Sequence, residues 1–144
     1  AHAAASLPDG AVLCWLDADV VTYRKVPEDL IERYLGEHDL VYLGRPPKHS
    51  EIGFWAVRLN KRTRAFLADL ATVYPSLRFV GLGEWHSAYV FDRVREENEA
   101  KGLKAHNLTP NGRGHVWFQH EIGLYTDHCK GNRKVAGISP ERPR

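Results

Sequence analysis

Six apolar residues, Ala11-Val12-Leu13-Cys14-Trp15-Leu16, run without a break into Asp17-Ala18-Asp19. The run is continuous rather than alternating and follows the turn residues Leu7-Pro8-Asp9-Gly10, which predicts a central strand covered on both faces. Side chains alternate along a strand, so residues i and i+2 point the same way, and Asp17 and Asp19 are expected to converge on one hard cation. Two other acidic pairs have the same spacing, Glu37/Asp39 and Glu97/Glu99, but they lack an apolar approach and read as solvated.

The rest of the chain alternates between the two periods. Pro27 opens an expected helix carrying Leu30, Ile31, Tyr34 and Leu35, and Gly36 closes it. Residues 39–44 read as a second strand, 45–50 as a loop around Pro46-Pro47, and 52–59 as a third strand. Asn60 caps a helix with Phe66, Leu70, Val73 and Tyr74 on one stripe, ending near Pro75. A turn at Gly81-Leu82-Gly83 precedes a further helix over 85–100. Weaker strand signals at 103–108 and 114–124 flank Pro110-Asn111-Gly112, and the basic tail from Asn132 reads as irregular. This order predicts an α/β fold, a mixed sheet flanked by helices, with residues 1–144 forming one domain or part of one.

Composition narrows the function classes. A net charge of +2, with no block of five like charges, gives no case for nonspecific nucleic-acid binding. No apolar run is long enough for a membrane span, and residues 1–6 lack the core of a signal peptide. Cys14 and Cys129 form no C-x-x-C pair, so reduced thiols in a cytoplasmic protein are expected. No Gly-rich phosphate loop is present. The chain has no Met, even at position 1, and is expected to be a piece of something longer.

Four segments resemble, in order, the metal-dependent glycosyltransferases of the GT-A fold. They are Trp15-Leu16-Asp17-Ala18-Asp19, similar to the family's D-x-D signature; Ser50-Glu51-Ile52-Gly53-Phe54 with Asn60, similar to its donor-sugar segment; Gly83 to Asp92, similar to a helix start facing the reaction centre; and Asp127 to Lys134, similar to a late H-x-x-G-x-x-K segment. The resemblance implies transfer of a sugar from a nucleotide-diphosphate donor, a UDP-sugar first, to an unknown acceptor. It implies Mn or Mg held by Asp17, Asp19 and His128, with Lys130, Arg133 and Lys134 complementing the diphosphate. Glu51 is expected to bond sugar hydroxyls and Gly53 to allow close backbone approach; Trp85 and His86 are expected to contact sugar or acceptor, which makes Glu51, Trp85 and His86 the catalytic candidates. Ser87 stands where similar sequences carry an acidic residue. In that fold a nucleotide-binding half precedes the acidic pair, whereas only 16 residues do so here, so the chain is expected to be the C-terminal portion.

Two other functions compete. A strand followed by D-x-D-x-V also fits a haloacid-dehalogenase-type phosphohydrolase with Mg, in which Asp17 would be nucleophile and Asp19 general acid, although no late acidic pair completes its metal site. The second is a non-catalytic carbohydrate-binding remnant. His115, His120 and His128 form an alternative ligand set, ranked low because no metal-ligand spacing such as H-E-x-x-H is present.

Overall fold

A computed structural model describes residues 2–143. Its elements run α1 (His2–Ser6), β1 (Val12–Leu16), β2 (Val20–Thr22), α2 (Leu30–Leu35), β3 (Leu40–Arg45), β4 (Lys48–Arg58), α3 (Lys61–Thr72), α4 (Ser87–Glu99), β5 (Ala105–Asn107), β6 (Thr126–His128) and α5 (Arg133–Ala136). Short 3-10 segments lie at Arg78–Gly81, Val116–Gln119 and Glu121–Leu124. Four strands form a mixed sheet in the order β1-β4-β3-β5, antiparallel except for the β3/β5 pair, while β2 and β6 form a separate antiparallel ribbon. The fold is therefore mixed α/β, as the alternation of periods predicts.

The strand period explains the layers. On β3 and β4, Leu40, Tyr42 and Val57 point into one core with Phe66 and Leu67 of α3 and Val90, Phe91 and Val94 of α4. Val41, Leu43, Phe54 and Ala56 point the opposite way, into a second core with Leu30, Tyr34, Leu35, Val116 and Trp117. Both faces of the central strands are thus buried, which demands the near-continuous apolar sequence seen there. Asn60 caps α3 as its sequence implies: its side chain accepts from Arg62 and Thr63 N–H groups at 2.9 and 3.1 Å, and Thr63 Oγ1 accepts the Asn60 N–H at 2.8 Å. Among the described residues no helix is long and apolar enough to cross a membrane.

Several expectations change. β1 is an edge strand rather than a central one: among the described residues it pairs only with β4, and Cys14, Trp15 and Leu16 are exposed. Residues 114–124 form two 3-10 turns instead of a strand, because Trp117 and Ile122 must both point inward from a segment interrupted by glycine and histidine. The helix expected from Pro27 starts at Leu30, the one expected from Trp85 starts at Ser87, and β4 begins at Lys48, inside the expected loop. The tail holds one short helix, α5.

Asp39, expected in solvent, is only 5% exposed. It accepts from Asn60 Nδ2 at 2.7 Å, from Arg62 Nε at 2.6 Å and from the Lys104 backbone N–H at 3.0 Å, tying the β4–α3 junction to the start of β5. Burial alone would raise its carboxyl, but Arg62, Lys104 and Asn60 outweigh burial and bring it down to about 2. A depressed folded-state value means stabilisation that is present above the ordinary carboxylate range and is lost as pH falls through about 2. Asp39→Asn should therefore cost ~2 kcal/mol at pH 7. Urea denaturation across a pH series should show the gap to wild type closing from about pH 4 downward; a gap that is constant with pH would contradict this account.

Candidate functional site

The chain leaves the main sheet immediately after Leu16. Asp17 N–H still bonds the Gly53 carbonyl at 3.0 Å, and Asp17 O then accepts the Val20 N–H at 3.0 Å, closing a tight turn. Both aspartates sit on this turn rather than on one strand, so the turn, and not strand alternation, aims them together. The next residues pair with β6, which sets Val20 opposite His128, and Asp19 O accepts the Cys129 N–H at 3.1 Å.

That pairing delivers His128, fully buried, to the two carboxylates. Its Nε2 lies 3.1 Å from Asp19 Oδ1 and 3.6 Å from Asp17 Oδ2. One ligand atom from each of Asp17, Asp19 and His128 falls within 4.8 Å of the others, a set that could hold a metal ion. Two carboxylate oxygens and one imidazole suit a hard or borderline divalent cation. On its far side, His128 Nδ1 is 3.4 Å from Glu51 Oε1 and makes no hydrogen bond, and Trp117 packs on the ring at 4.9 Å between centroids. The Glu51 carboxylate thus lies behind the ring, on the side away from Asp17 and Asp19.

Gly53 makes this placement possible. A Cβ there would lie 2.2 Å from His128 Cε1 and 2.4 Å from Nδ1, so the space the glycine leaves is taken by the imidazole. The close approach expected at Gly53 is that of the donor; the group that fills the space is His128.

Glu51 is also buried, at 1% exposure, and accepts from Lys130 Nζ at 2.6 Å. Burial would raise its carboxyl, but His128 and Lys130 prevail and lower it to about 2. Lys134 Nζ reaches Asp19 Oδ2 at 3.0 Å; against the opposing effect of burial, Lys134 and His128 lower the Asp19 carboxyl. Asp17 accepts the Trp15 indole N–H at 2.9 Å. Beside it opens a mostly apolar cavity of about 290 Å³ lined by Trp15, Asp17, Ile52, Trp55, Tyr74 and Ser87, among others.

The remaining candidates are not in the Asp17/Asp19/His128 group. Arg133 bonds Glu141 at 2.6 Å. Trp85 is 74% exposed, with its carbonyl accepting from Tyr74 Oη at 2.9 Å. His86 caps α4 and pairs with Glu84. His115 packs on Phe118, and His120 packs on Tyr34, so the three-histidine set does not assemble. Two supporting residues have roles that the sequence does not announce. Asp127 is buried and bonds Ser139 through both N–H and Oγ, pinning the tail beneath β6, and Trp117 donates to the Thr126 carbonyl at 2.9 Å. Only a buried-side bulky aromatic in the 114–124 segment signalled Trp117; nothing local signalled Asp127.

Gly53→Ala should expel the imidazole or force the strand aside, destabilising the chain by about 1–3 kcal/mol, the usual cost of overpacking. Thermal melting reads the loss; full stability would show that Gly53 does not make the room for His128.

No protein-family model matches the chain, and neither a curated protein nor a solved structure is found to match it. What the site does is therefore read from its own atoms.

Proposed function

We propose that the chain carries the metal-binding and acceptor-side part of a GT-A-type glycosyltransferase site, which transfers a sugar from a nucleotide-diphosphate donor. The observation that carries this reading is the convergence of Asp17, Asp19 and His128, from positions over a hundred residues apart, with Lys130 and Lys134 at the margin. The donor set and the glycine cradle around His128 fit a divalent cation such as Mn or Mg, held by Asp17, Asp19 and His128. Such an ion, when bound, supplies Lewis-acid neutralisation of a departing diphosphate.

The protein's own groups divide the remaining work. Glu51 holds His128 and Lys130 in place from behind. Lys130 and Lys134 offer charge-assisted N–H donors to phosphate oxygens beside the carboxylates. The cavity between Trp15 and Tyr74 presents flat apolar walls of the kind that pack against a sugar ring, with Ser87 and Asp17 as polar points on its lining.

The test is Mn2+ titration of the chain, alone and with UDP, followed by assay with UDP-sugars. Asp17→Asn, Asp19→Asn and His128→Gln should each weaken Mn2+ binding at least about 10-fold and lower Mn2+-dependent UDP binding in parallel. Any sugar release should fall about 100-fold or more. Unchanged Mn2+ binding in Asp17→Asn and Asp19→Asn would remove the metal role; Mn2+ binding without any UDP affinity favours the non-catalytic remnant, and phosphate release from simple monoesters favours the phosphohydrolase.

A further inference from the structure

A second cluster lies where the 83–86 segment meets the start of β4. His49 Nε2 is 3.4 Å from Glu84 Oε1, His86 Nε2 is 2.6 Å from Glu84 Oε2, and the two imidazoles meet edge to face at 4.8 Å between centroids. One ligand atom from each of His49, Glu84 and His86 falls within 4.8 Å of the others, as in the Asp17/Asp19/His128 group. We propose that His49, Glu84 and His86 form a separate divalent-metal site, selective for a borderline transition metal of the Zn2+ type, that clasps the 83–86 segment to the β3–β4 hairpin.

The donor chemistry separates the two sites. Two imidazoles and one carboxylate are the ligand set of open zinc sites, where water completes the coordination, whereas two carboxylates and one imidazole lean toward harder ions. The side chains are 33%, 51% and 45% exposed, which leaves a path for entry and room for water.

The support behind His49 is an independent observation. Its Nδ1 faces Asp92 Oδ2 at 3.8 Å, while its Nε2 faces Glu84. Asp92 is itself fixed, accepting from the Ser50 N–H at 2.9 Å and from Ser50 Oγ at 2.5 Å. At 3.8 Å the Asp92 carboxylate is an ion-pair neighbour of Nδ1 rather than its hydrogen-bond partner, and it favours Nε2 as the nitrogen that ligates. His86 Nδ1 accepts the Tyr89 N–H at a long 3.3 Å; ligation through Nε2 moves the ring proton to Nδ1 and releases that contact.

Equilibrium dialysis against Zn2+ alone, with Co2+ absorption as a second readout, tests the site independently of sugar transfer. Wild type should bind two Zn2+ per chain, one at each group. The Asp17→Asn/Asp19→Asn double variant should keep the site described here. His49→Ala and Glu84→Gln should each weaken it at least about 100-fold, the upper end of the loss seen when even an outer partner is removed. His86→Asn should do the same, and since Asn is a good N-cap it leaves α4 capped and folded. Circular dichroism identifies any variant that fails to fold, and the exposed Glu84→Gln then decides. Zn2+ binding that is unchanged in His86→Asn and Glu84→Gln, or that vanishes entirely in the Asp17→Asn/Asp19→Asn variant, overturns the proposal.

Discussion

The architecture around the candidate centre depends on a single buried imidazole. His128 has no solvent exposure, yet it faces two carboxylates on one side and a third on the other. Burying such a group is costly unless every neighbour is arranged for it. Here the arrangement draws on distant parts of the chain: the 17–20 turn supplies Asp17 and Asp19, β4 supplies Glu51 and the empty side-chain space of Gly53, and the 116–119 turn supplies the Trp117 ring. The β2/β6 ribbon exists at the point where these meet, and its three residue pairs fix the height of His128 against Asp19.

The charges around that imidazole are not balanced by the lysines alone. Lys130 pairs with Glu51 and Lys134 with Asp19, whereas among the described residues Asp17 has an indole N–H and the imidazole for company but no lysine. A carboxylate left without a full counter-charge, next to a second one and to an imidazole nitrogen oriented toward both, makes a local field that attracts a cation. On the metal-binding reading, the two lysines offset charge at Glu51 and Asp19 and leave Asp17 to the cation.

The elements that were legible in the sequence are those whose stability comes from apolar burial. β3 and β4 are buried on both faces, so continuous runs such as Leu40-Val41-Tyr42-Leu43 announce them, and the α3 stripe with its Asn60 cap does the same. β6 is the opposite case. Thr126, Asp127 and His128 are all buried, and each is held by a hydrogen bond or ion pair to a residue outside the strand: Trp117, Ser139 and Asp19. A buried polar strand has no hydrophobic period to read, because what holds it is chemistry contributed from elsewhere. The Asp17/Asp19 pair was visible for a partly mistaken reason. Its apolar approach suggested a two-sided central strand, whereas β1 lies at the edge and the convergence comes from the turn.

Glu51 shows how the environment reassigns a residue that sequence alone would place in the reaction. A general base works best when its affinity for a proton lies near the working pH. A carboxyl lowered to about 2, only 1% exposed and already holding Lys130, is a poor proton acceptor at neutral pH and is screened from any ligand. Those same properties make it an effective anchor, since an ionised buried carboxylate fixes the orientation of His128 and the position of Lys130 together. Ser87, on the lining of the adjacent cavity, offers no carboxylate to replace it. On the sugar-transfer reading, the chemistry here must then rest on stabilising a leaving diphosphate through preorganised positive charge rather than on proton abstraction by Glu51, which is the balance expected where donors are fixed before the substrate arrives.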